Sequence, residues 1–157
     1  MNAPDKAVEI KAAVTGVIAF ITALIGPVGW IIVVWLLAIL LDYLTGTWAA
    51  LSHGEWSSAV ARQGLWHKLG SIVAVLVSAM LDIALGVILP QLGIEYSYII
   101  LTPIVCLWYL LTELGSMIEN IDKLGAPVPD FLRDMIKKVR NEVDHIGEDQ
   151  TGDHKKE

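Results

Sequence analysis

The sequence predicts an all-α integral membrane protein, and three observations point to that class. Hydrophobic residues make up 55% of the 157 residues and charged ones only 18%, with a mean hydropathy of +0.59, more apolar than a soluble domain of this size. The apolar residues are gathered in long runs. The run from Val28 to Leu51 carries one charged residue, Asp42, and is long enough to cross a hydrocarbon layer about 30 Å thick. The alternating segments of roughly 10 residues that a membrane β-barrel requires do not appear. Four transmembrane helices are expected, at about 8–26, 29–51, 69–89 and 98–121. Residues 122–146 then form a turn and a short amphipathic cytoplasmic helix, and 147–157 a disordered charged tail. A three-helix arrangement, with the first segment outside the bilayer, is the alternative.

The first segment is the shortest. Ala12 to Ile25 covers only about 21 Å at 1.5 Å per residue. It spans only if Val8 and Ile10 are included and Lys6 and Lys11 snorkel outward. No cleavable signal peptide is expected, because the N-terminal residues mix acids with bases and no small-x-small site follows a short apolar core. Gly26-Pro27-Val28-Gly29 is turn chemistry and predicts a hairpin between the first two helices. In the second helix Ala38, Asp42, Gly46 and Ala50 recur every four residues. They form a narrow ridge where another helix can come close. Asp42 would cost roughly 2.5–3.5 kcal/mol near mid-span on insertion scales, so it needs a polar partner or water.

Residues 52–68 form a polar connection containing Arg62 and Lys68, with Trp56 and Trp66 placing it in the membrane interface. The third helix repeats the pattern of the second. Gly70, Ala74, Ser78, Asp82 and Gly86 recur every four residues, small side chains around one acid. Close packing alone explains the small residues; the two acids point to a polar seam between helices or along a pore. No base stands at the depth of either acid in this reading. The fourth helix begins apolar and turns polar, with Glu113, Ser116, Glu119 and Asn120 on one face, and leaves the membrane near Glu119.

Gly125 ends that helix, and Pro127, Pro129 and Asp130 start another. There Leu132, Ile136, Val139, Val143 and Ile146 form a stripe of alternating four- and three-residue steps. The stripe suits a membrane surface or a contact between subunits. From Gly147 onward the composition is that of a solvated tail.

The charge of −6 arises mostly from Glu113 onward and argues against nucleic-acid binding. Cys106 has no partner for a disulfide or a metal cluster and is expected to be a buried hydrophobe. His53, His67, His145 and His154 are scattered, and no catalytic, cofactor-binding or metal-binding set emerges. A non-enzyme without a cofactor is expected.

LLDYLTGTWAAL from Leu40, Ser57-Ser58, GLWHKLG (Gly64 to Gly70), MLD (Met80 to Asp82) and ELGSMIENIDKLGAPVP (Glu113 to Pro129) occur in that order. This set resembles the toxin-secretion/phage-lysis holin family over roughly residues 30–140. The family often has two basic residues where His67-Lys68 stands. The resemblance implies a phage protein of the host's inner membrane. Such a protein accumulates, then assembles as a homo-oligomer into a lesion that releases a cell-wall hydrolase, the endolysin; some relatives export protein instead. It leaves an antiholin open as a further partner. Asp42, Gly46, Ser78, Asp82 and Glu113 are the candidates for a pore or helix seam. Ala38, Ala50, Gly70, Ala74 and Gly86 are the candidates for helix packing. Two other classes compete: a small ion- or proton-coupled transporter using Asp42, Asp82 and Glu113, and a structural adaptor acting through the C-terminal helix.

With four helices, every basic segment falls on one side. The 26–29 turn and the 91–97 loop carry no Lys or Arg, so both termini should be cytoplasmic. Reporter fusions at Gly93 should therefore read outside, and fusions at Ser58 and the C-terminus inside. An external C-terminus would contradict this topology.

Overall fold

The computed structural model describes residues 6–95 and 100–151, and nothing in it but helices and their connections. The elements are α1 (Lys6–Ser52), α2 (Ser58–Gln91), α3 (Leu101–Lys123) and α4 (Asp130–Thr151). Among the described residues three helices are long and apolar enough to cross a membrane: Val28–Ser52, Ser58–Gln91 and Leu101–Lys123. The segment 8–26, expected as a fourth span, is not among them.

Helical structure in α1 is interrupted at Gly26, whose φ of 61° and ψ of −168° are non-helical. Without a Cβ, glycine adopts this geometry at little steric cost. Pro27 follows as the first residue of the second arm, where its missing N–H is no loss. The boundary falls inside the expected turn but takes one residue rather than four.

α2 begins eleven residues before the expected start at 69. Ser57 caps it, its hydroxyl accepting from Val60 N at 3.2 Å, and the polar residues that follow continue the helix instead of forming an interfacial loop. The expected fourth helix is α3, which starts at Leu101; positions 98–99 lie outside the described residues. Gly125, with φ of 81°, closes α3, as Gly125 N donates to Asp122 O at 2.9 Å. α4 continues to Thr151, past the expected tail boundary at 147. Extending an established helix adds a hydrogen bond for each residue fixed, so it needs no apolar partner. Positions 152–157 of that tail lie outside the described residues.

α3 is the central element, packed against α1, α2 and α4. It runs parallel to α1: the Trp35 and Tyr109 ring centroids lie 6.2 Å apart, and Asn120 reaches Asp42 further along. α2 runs antiparallel to both, with Lys68 at the Asp42 level and Asp82 at the start of α3. Trp35, Ala38, Val75, Cys106 and Leu110 form the apolar core between the three spans.

The ridge of α1 faces inward. Ala38 is buried, and a Cβ on Gly46 would stand 3.2 Å from Asn120 Nδ2. Gly70 and Gly86 of α2 are exposed, with nothing within 4 Å of an added Cβ. Gly46→Leu should therefore displace Asn120 and lower stability by about 1–3 kcal/mol, the usual cost of overpacking. Gly70→Leu and Gly86→Leu should leave the folded monomer as stable as the parent. Thermal melting of the three variants in detergent checks the contrast.

Candidate functional site

Three ionisable side chains meet where α1, α2 and α3 come together. Lys68 Nζ donates to Asp42 Oδ2 at 2.7 Å and also bonds Glu113 Oε2. Asn120 Nδ2 donates to the other oxygen of Asp42 at 2.9 Å. Asp42 and Glu113 are 8% and 7% exposed, and the Lys68 side chain 12%. An isolated charge at such a place would be expensive, and mutual pairing with further hydrogen bonds offsets that cost. The cluster sums to one positive and two negative formal charges.

The expectation that no base stands at the depth of the acids is corrected here. Lys68 lies inside α2 rather than in a loop, because the Ser57 cap starts that helix ten residues earlier. From there Lys68 is on the inward face of α2, followed by Ser71, Val75, Ser78 and Asp82, all four buried. The buried face advances by alternating steps of three and four. The every-four series in the sequence drifts off that face, which leaves Gly70 and Gly86 outside and Ala74 half-buried.

Asp82 does separate work. Its Oδ1 accepts from Ile100 N at 3.3 Å and Leu101 N at 3.1 Å. Its Oδ2 accepts from Thr102 N at 2.7 Å and the Thr102 hydroxyl at 2.6 Å. The first N–H groups of a helix have no partner within it and carry the positive end of its dipole. Asp82 supplies the missing acceptor and fastens α3 to α2. A seam role shared with Asp42 does not fit this geometry, since the two lie at opposite ends of the bundle: Lys68 and Asp82 are separated by fourteen residues of α2, about 21 Å.

The remaining candidates are placed as follows. The Ser78 hydroxyl donates within its own helix to Val75 O at 2.8 Å. Ala50 is half-buried and lines a groove with Tyr43, Trp56 and Lys68. Glu119 is exposed and points to α4, so it leaves the face that Glu113 and Asn120 share. Lys68 and Asn120 are the two members of the cluster that were not among the candidates. Among the described residues no group of three His, Cys, Asp or Glu could hold a metal ion.

An open groove between α2 and α3 leads to the cluster, lined by His67, Ser71, Thr112 and Ser116 among others. It gives the buried charges a polar approach without a nucleophile–base pair beside it. The arrangement defines a small helical membrane protein whose spans are tied by internal polar contacts. The chain belongs to the bacteriophage holin family, whose description matches residues 19–141.

Curated relatives agree in extent. An uncharacterized protein of Clostridium perfringens is 30% identical over 84% of this chain and 91% of its own length. One of Listeria monocytogenes is 28% identical over 82% and 85%. One of Halalkalibacterium halodurans is 32% identical over 66% and 73%. No solved structure matches.

Removing one partner of a buried ion pair typically costs about 3–5 kcal/mol, because the charge left behind is unpaired. Lys68→Met alone should therefore reduce the yield of folded protein in the membrane sharply. Lys68→Met combined with Asp42→Asn and Glu113→Gln should recover most of it. Quantifying detergent-extracted monodisperse protein checks this; equal yields for the single and triple variants would refute the pairing.

Proposed function

We propose that this chain is a holin. It accumulates in the bacterial cytoplasmic membrane with both termini inside, oligomerises, and opens a lesion through which a cell-wall hydrolase passes at lysis. Export of another protein is the same act with a different cargo. The family membership over residues 19–141 carries the reading. The fold supports it physically. The buried acids of the three apolar helices find their partners within one chain, Asp42 and Glu113 on Lys68 and Asp82 on the start of α3, so the monomer carries no unpaired acid in its core. Most of the lipid-facing surface of α2 is apolar, including Val73, Leu76, Val77 and Met80, and is available to other copies.

A transporter using Asp42, Asp82 and Glu113 as a relay fits less well. Glu113 and Asp42 share Lys68, but Asp82 is spent on the α3 terminus. An adaptor acting through the C-terminal helix would need no such charge cluster.

Inducible expression in a bacterium separates the three. A holin should leave growth and membrane potential unchanged for a period, then abolish the potential abruptly. Lysis should follow only when a cytoplasmic cell-wall hydrolase is co-expressed. A graded flux change without loss of viability would favour the transporter, and no effect on potential or lysis the adaptor.

A further inference from the structure

α4 folds back antiparallel along α3. Arg133 bonds Asp122 at 2.9 Å beside the turn. At the far end of the contact Trp108 Nε1 donates to Asp144 Oδ1 at 2.6 Å, and the Arg140 guanidinium lies 4.6 Å from the Trp108 ring centroid. Between them Leu132, Ile136 and Val139 share an apolar groove with Leu111, Leu114 and Ile118, and Val143 is buried. From Lys123 to Trp108 is fifteen residues, so α4 covers about 22 Å of α3.

That depth conflicts with lipid. Trp48 and Trp66 are strongly exposed at one end of the bundle, where an interfacial aromatic belt would stand. Trp30, eighteen residues before Trp48, is about 27 Å away along α1, close to the thickness of the hydrocarbon layer. α3 runs in step with α1 across this distance. Trp108 is thus about 7.5 Å further from the Trp48 end than Glu113, well inside the layer. α4 carries Asp134, Lys138 and Glu142 on its outer side, all exposed, and Lys137 at the edge of the groove it forms with α3. Hydrocarbon cannot solvate that face.

We propose that α4, docked on α3, is the water-facing wall of the assembled lesion. The apolar stripe of α4 seats on α3 of the same chain, and its charged side faces an aqueous lumen enclosed by further copies. This rests on the holin reading and names the surface that lines its opening. No separate pore-lining span is needed, because the polar layer is supplied from the cytoplasmic side by the α3–α4 hairpin.

The test is to lock the hairpin. Leu111→Cys with Ile136→Cys is joined by a short bis-maleimide in detergent; Trp108→Cys with Asp144→Cys provides a second lock at the far end. Cys106 is fully buried and stays out of the reaction. The full-length protein is reconstituted into vesicles of phosphatidylethanolamine and phosphatidylglycerol loaded with dye. Locked protein should release dye within about twofold of a mono-maleimide control. In parallel, a bimane probe on Lys138→Cys should be quenched by iodide and several-fold less by brominated acyl chains than one on Leu76→Cys. Loss of release in both locked forms, or equal lipid quenching at the two positions, overturns the proposal. Failure of the unmodified protein to release any dye instead sinks the holin reading beneath it.

Discussion

The bundle depends on one constraint: a carboxylate placed among apolar helices must be given a cation or a set of hydrogen-bond donors. Asp42 and Glu113 meet it by sharing Lys68. The three residues come from three different helices, so the pairing fixes not only the charges but the register of the spans. A slip of one residue turns each side chain by about 100° around its helix and breaks the set. Apolar contacts alone would not specify register so sharply, since lipid tails compete for the same faces. Asn120 adds a second bond to Asp42 and itself packs against Gly46. The absence of a side chain at Gly46 is therefore part of the same polar arrangement, not a separate packing device.

How much of this was legible in the sequence depends on the period assumed. The apolar runs located the three spans, because length and composition suffice for that. Asp42 and Glu113 stood out because acids are rare in such runs. Their partner did not. Counting in fours along α2 selects Gly70, Ala74, Ser78, Asp82 and Gly86, and that series winds around the helix. Helices packed nearly parallel keep contact at an average step of 3.5. Alternating steps of three and four pick out Lys68, Ser71, Val75, Ser78 and Asp82, and in α1 Trp35, Ala38, Asp42, Thr45 and Ala49. Four of these α1 residues and four of the α2 residues are buried, with Thr45 and Lys68 half-buried. The signal was present in the sequence, one step of spacing away.

The role of Asp82 was hidden for a different reason. Its partners are three backbone N–H groups at the start of α3, which no residue type announces, and the Thr102 hydroxyl. A helix N-terminus inside a membrane protein leaves several donors unpaired. Ile100 precedes α3 with no side-chain cap of its own, so the acceptor has to come from another element. Position 82 is where the inward face of α2 passes that terminus.

The division of polar work bears on assembly. The cluster at one end and Asp82 at the other pair the buried acids of the spans within a single chain, and Ser78 closes on its own backbone. Such a monomer has little reason to associate through hydrogen bonds in lipid. What it leaves exposed includes the apolar surfaces of α1 and α2 and the charged outer side of α4. Lipid accommodates the first, so on the holin reading association there is weak and concentration-dependent. The second has no stable place at the depth it occupies unless water reaches it. On the holin reading, accumulation without damage follows from the first property, and an abrupt opening follows from the second. Copies that meet through α2 remain harmless until enough of them enclose a space in which the α4 charges are hydrated. Once water enters, each further copy adds solvated charge to the wall, and the open state stabilises itself.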